Sequence, residues 1–131
     1  MITVLISLFL CQPETTDESL LRTFKAVCWI ESRGDPKAYN KAEDAAGIVQ
    51  IRPIMVRDAN RIIGYEKYTL ADRWNPVKSW EIFRLVCRFY YPHGTPEQFA
   101  RCWNGGPRGP KKPATLPYWL KVQRQMQEAS R

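Results

Sequence analysis

Counting back from Glu31, apolar residues recur at Cys28, Val27, Phe24, Leu21 and Leu20, spacings of three, four, seven, ten and eleven. That period places them on one face of an α-helix. Thr16 or Asp17 can cap this helix, which runs to about Ser32 before Gly34, Asp35 and Pro36 turn the chain. Residues 37 to 47 carry no clear period. Pro53 can open a second helix with Ile54, Ile62 and Ile63 apolar and Gly64 as its stop. Asn75 and Pro76 start a third, in which Trp80, Phe83, Cys87 and Tyr90 share a face. Thr95 to Gln98, "TPEQ", is a capping box with proline at the first helical position, and its short helix ends in "NGGP" at Asn104 to Pro107. Residues 108 to 113, "RGPKKP", read as a loop. A last helix from about Thr115 carries Trp119, Leu120, Val122 and Met126. No alternating strand stands out, although "GIVQI" suits a brief extended piece. The expected class is mainly α, with at most a minimal extended segment.

Length and composition narrow this picture. A chain of 131 residues makes one domain most simply, long enough for a core without staples. Its 44% apolar content and five tryptophans exclude a disordered tail as the main body. Twenty Lys and Arg against 13 Asp and Glu leave a net charge of +7, which suits an anionic polymer (nucleic acid, acidic cell wall or membrane surface) without choosing between them. The opening run Ile2 to Leu10 is too short to span a bilayer, lacks a cationic start and has no clear cleavage site. Residues 1–15 therefore read as an atypical export segment or an N-terminal extension, and 16–131 as the domain. Cys11 after "LFL" has a leucine where lipoprotein processing wants a small residue. The four cysteines (11, 28, 87 and 102) have no metal spacing and read first as buried small hydrophobes.

Glu31 is the candidate that periodicity singles out. It lies in line with apolar residues, where a charge is expensive. Two readings stay open at this point: a helix-end acid that reaches water, or an acid held there for chemistry. Paired carboxylates are the usual sign of glycoside hydrolysis, yet Asp35, Glu43 and Asp44 fall in turn and loop, where solvated charge is ordinary. His93, the only histidine, sits in "YPHGTP" without a nucleophile motif, and reads as surface loop. The glycines of "NGGPRG" lack the preceding strand and following Gly-Lys-Ser/Thr of a phosphate loop.

Four segments in order, "ESRGDPKAYN", "GIVQIRP", "FARCWNGGP" and "TLPYWLKV", resemble the soluble lytic transglycosylase domain of the lysozyme-like superfamily, related to goose-type lysozymes. The likeness covers roughly residues 20 to 125. It implies a lysozyme-like helical domain that cleaves the β-1,4 bond between N-acetylmuramic acid and N-acetylglucosamine in peptidoglycan. By resemblance, Glu31 is the single catalytic acid and base, and a 1,6-anhydromuramoyl product replaces hydrolysis. The missing second carboxylate then fits a substrate-assisted route, in which the sugar's own N-acetyl group is the nucleophile. Ser32 matches the serine after that glutamate, with an orienting role. Gly47, Gln50 and Ile51 match the strip that lines the sugar groove. Asn104 matches the asparagine of the family's Tyr-Asn-Ala-Gly helix end, and Tyr118 its late tyrosine.

Two positions depart from the family pattern. Trp103 stands where a tyrosine contacts the acid, so its N–H serves instead, or Tyr118 or another tyrosine reaches in, or activity is lowered. Val49 stands where methionine is frequent. The resemblance also places Cys28 and Cys102 near one another behind the acid, where an exported protein can bridge them. It implies glycan strands as partner, no nucleic acid, no stable membrane insertion, a monomer, no metal and no cofactor. It further implies export to the periplasm or cell wall, or a place in a phage particle. The alternatives are a hydrolytic, goose-type muramidase and a peptidoglycan-binding module without catalysis. A nucleic-acid-binding helical domain explains the charge but leaves Glu31, Gln50 and "WNGGP" without a role.

Overall fold

The computed structural model describes residues 14–131; the candidate export segment and Cys11 lie outside the described residues. Five α-helices carry the fold: α1 (Thr16–Ser32), α2 (Pro53–Ile63), α3 (Pro76–Tyr90), α4 (Pro96–Gly105) and α5 (Leu116–Ala129). Between α1 and α2 lies a two-stranded antiparallel hairpin, β1 (Tyr39–Asn40) and β2 (Ala45–Ala46), with Tyr39 opposite Ala46 and Asn40 opposite Ala45. The class is mainly α, as the periodicity predicts. The extended piece falls just ahead of "GIVQI", and only Ile51 of that segment pairs, with Ala46. Residues 47–50 are turn instead, because Gly47 and Gln50 both adopt left-handed backbone.

The caps explain most helix starts. Thr15, one residue before the expected cap, accepts from the Glu18 amide, and Glu18 reaches back to the Thr15 amide. Thr95 and Gln98 form the second capping box. Asn75 Oδ1 accepts from the amides of Val77 and Lys78, with Pro76 at the first helical position. Gly64, at φ 93°, ends α2 by donating to Asn60 O.

Helix α4 runs through the centre and packs against α1, α3 and α5. Residues 99–103 are all buried, which an interior helix requires. Phe83 of α3 sits between Phe24 of α1 and Trp103 of α4, with ring centroids 5.3 and 5.0 Å away. Leu20, Val27, Ile82, Phe99 and Val122 complete this core. Three expected apolar positions face outward. Leu21 is 40% exposed and Ile54 59% exposed, while Leu120 lies on the solvent side of α5. On α2 the buried face is Val56, Ala59 and Asn60. Asn60 fits there because its amide bonds the backbone of Lys67 and Tyr68.

The "RGPKKP" segment is tighter than a loop, with short 3₁₀ turns at Gly109–Lys111 and Pro113–Thr115. Buried Arg101 organises it, donating to Thr115 Oγ1 at 2.8 Å, Lys112 O at 2.9 Å and Glu97 at 2.7 Å. Cys28, Cys87 and Cys102 are buried free thiols, and no disulfide joins Cys28 to Cys102. Burial pushes the thiols of Cys28 and Cys102 up to about 12. They are inert core groups.

Candidate active site

Helix α1 delivers Glu31 at its last turn and then stops. Arg33 takes a left-handed φ of 56° and Gly34 one of 77°, and their amides return to Trp29 O and Cys28 O. Ser32 fastens this end to the next loop. Its hydroxyl donates to Ile48 O at 2.6 Å, with Cys28 O 3.1 Å away. The carbonyl of the 47–50 turn is thereby held against the end of α1, beside Glu31.

The turn itself is fixed from behind. Gly47 has φ 85°, and a Cβ there would lie 1.8 Å from the Arg73 carbonyl oxygen. The close approach that this glycine permits is therefore to Arg73, in the protein interior. Gln50, at φ 56°, donates both amide hydrogens inward, to Gly47 O at 3.0 Å and Ala38 O at 3.1 Å. Its Nε2 braces the hairpin, and its carbonyl oxygen is the group left for a ligand. Ile51 is wholly buried, so its side chain belongs to the core and not to a groove wall.

Trp103 is also an interior residue, 3% exposed, and its indole N–H donates to Val49 O at 3.1 Å. It supports the 47–50 turn from below and makes no hydrogen bond to Glu31. That contact comes from α5: the Tyr118 hydroxyl donates to Glu31 Oε1 at 2.8 Å. Asn104 is exposed at the end of α4, on the wall of a cavity of about 700 Å³ shared with α2. Glu31, Ser32, Gln50 and Tyr118 are not on that wall; Arg52, which is, lies close enough for its charge to act on Glu31.

Half-buried Glu31 has its pKa raised, chiefly because burial disfavours the carboxylate. The Tyr118 hydrogen bond opposes this by favouring the charged form, the Glu43 charge adds to it, and Arg52 opposes it. The negative end of the α1 macrodipole acts in the same direction as burial. Tyr118 in turn is raised well above the usual phenol range, first by its own burial and then by the Glu31 charge. The arrangement is a carboxyl group of fixed orientation, set where burial favours its protonated form. Among the described residues no group of three or more His, Cys, Asp or Glu is placed to hold a metal ion.

Two contributors carry no sequence signal of the kind used above. Arg73, 6% exposed, donates to Asp44 O at 2.6 Å, Ile51 O at 3.1 Å and Leu70 O at 2.9 Å. It ties the hairpin turn at Asp44 and the bridge residue Ile51 to the 3₁₀ helix Leu70–Trp74. Arg52 directly follows the "GIVQI" strip, but its effect on Glu31 needs three dimensions to be seen.

The sequence model of the family described as "Transglycosylase SLT domain" matches residues 10–83, more than half of the chain. This chain belongs to the transglycosylase SLT family. The family acts as transglycosylases on peptidoglycan. The match takes in Glu31, Ser32, Gly47, Gln50 and Ile51, whereas Trp103, Asn104 and Tyr118 of this SLT domain lie beyond it. Comparison with curated proteins gives no match. No helix among the described residues is long and apolar enough to cross a membrane.

Proposed function

We propose that this SLT domain cleaves the N-acetylmuramic acid–N-acetylglucosamine β-1,4 bond of peptidoglycan by the lytic route, with Glu31 as its only acid and base. The observation that carries the reading is the half-buried Glu31 carboxyl, raised in pKa by burial and oriented by Tyr118. The protonated acid gives its proton to the glycosidic oxygen as that bond breaks. The carbonyl oxygen of the muramic acid N-acetyl group attacks the anomeric carbon and forms a cyclic oxazolinium. The Glu31 carboxylate then takes the proton of the sugar's 6-hydroxyl, whose oxygen attacks the same carbon and reopens the ring. Glu31 ends protonated, no water is consumed, and the product is the 1,6-anhydro sugar.

In this reading Tyr118 keeps one carboxyl oxygen occupied and leaves the other for substrate. Ser32 positions the turn, Asn104 and the Gln50 carbonyl oxygen meet the sugar, and Trp103, Gly47 and Ile51 act through the turn without touching substrate. The net charge of +7 suits an anionic wall polymer. Glu43 favours a second reading, hydrolysis, because its charge reaches Glu31 from the hairpin. Against that, Glu43 is exposed, and no hydrogen bond among the described residues fixes it over a water. Mass spectrometry of muropeptides after digestion decides between them. Anhydro products, one water lighter than hydrolysed ones, are expected. Hydrolysed products would favour water as nucleophile, and intact strands that remain bound would indicate a binding module.

A further inference from the structure

On the side of α1 away from Glu31, α1 and α5 leave a groove of about 380 Å³ between them. Trp29 and Ile30 form its apolar part, and Arg33, Lys121 and Arg124 its cationic part, against a single acid, Glu128. None of these four charged groups has an ion-pair partner among the described residues. Lys25, exposed one turn before Trp29, extends the cationic rim along α1. Leu120, 50% exposed and one turn before Arg124, extends the apolar part along α5. Trp29 itself is 41% exposed. The Arg33 guanidinium lies 5.1 Å from the centre of its ring and holds the indole at the surface.

An exposed indole and leucine flanked by unpaired cations match one kind of partner, anionic headgroups lying over hydrocarbon. Lipid phosphates pair with the guanidinium and ammonium groups, while Trp29 and Leu120 enter the boundary between headgroups and acyl chains. A soluble polyanion would satisfy the charges but leave both apolar side chains in water. We propose that this α1–α5 face docks the domain reversibly on an anionic lipid surface. The attachment is peripheral, through side chains alone. It leaves the candidate active site open. Glu31 lies two residues beyond Trp29, about 200° further round the helix, and is turned toward Tyr118. A docked domain therefore holds its acid away from the lipid, whichever product that acid gives.

Co-sedimentation of the full chain with lipid vesicles tests this, with phosphatidylcholine alone compared against phosphatidylcholine carrying about one-third phosphatidylglycerol. Binding to the anionic vesicles is expected to be at least ~10-fold tighter. Lys121→Glu combined with Arg124→Glu should abolish that preference. Both residues are exposed and unpaired on α5, so the fold is kept. The same two reversals at Lys41 and Arg57, exposed on the hairpin turn and on α2, should leave the preference within about 2-fold. Trp29→Ala should weaken binding to the anionic vesicles about 5-fold. Melting temperatures verify that each variant is folded. No preference between the two vesicles would overturn the proposal. So would an equal loss in both charge-reversed variants, which would mean general charge attraction. Undiminished binding by Trp29→Ala would overturn the lipid assignment in favour of a soluble polyanion.

Discussion

Tyr118 and Glu31, 87 positions apart in sequence, meet through a 2.8 Å hydrogen bond from phenol to carboxyl oxygen Oε1. The contact explains how a chain with tryptophan at position 103 still orients its acid. The indole N–H is committed to Val49 O, and the orienting hydroxyl comes from α5. Because this bond favours the carboxylate, Tyr118→Phe raises the Glu31 pKa further. The alkaline limb of the rate profile should move to higher pH, while the maximal rate falls about 10-fold from lost orientation. A pH–rate profile of the variant checks both. An unmoved limb would separate Tyr118 from the titration of the acid.

The raised pKa of Glu31 has a cost in stability. The folded protein holds this proton more tightly than the unfolded chain, so stability falls as pH climbs from the usual carboxylate value of 4.5 through the raised folded value. Above both values the cost is present in full, and below both it is absent. Glu31→Gln keeps an acceptor for Tyr118 and removes the charge. Its melting temperature should exceed that of wild type at pH 7 and above, and the gap should close below pH 4.5. A pH-independent gap would contradict the burial of this carboxyl.

Glycine at 47 is required by both backbone and space. Gly47→Ala sets a Cβ 1.8 Å from the Arg73 carbonyl at a φ of 85°, and should cost about 2–5 kcal/mol. Gly34→Ala, at φ 77° with open space around it, should cost only about 1 kcal/mol. Thermal or denaturant unfolding of the pair distinguishes them. Equal losses would mean that the Arg73 contact is not tight.

Arg73→Met should leave Asp44 O and Ile51 O without their buried donor and cost about 2–4 kcal/mol. Hydrogen exchange should rise first in residues 45–51, before the helices respond. Uniform loss of protection would assign Arg73 a global role instead.

The helices and their caps were legible because each is local. The "TPEQ" box, Asn75–Pro76 and Gly64 fix element ends within a few residues of chain. Glu31 was legible for the same reason, as a charge on an apolar period. The outward turn of Leu21, Ile54 and Leu120 was not, since it depends on which neighbouring helices each element packs against. Trp103 and Ile51 stand in motif positions next to groove residues, yet both side chains point into the core. Motif spacing fixes the backbone path; which way a side chain faces is decided by the elements behind it. Arg73 shows the limit most clearly. One arginine in a 3₁₀ turn braces a hairpin 29 residues earlier, and no periodicity encodes that pairing.

Glu31 as the single acid and base sets the rate of anhydro-muropeptide release from purified peptidoglycan, which is to be compared between wild type and Glu31→Gln. The variant should keep its fold and its binding to strands, with a rate at least ~100-fold lower. Release of the same product at a comparable rate would contradict the assignment.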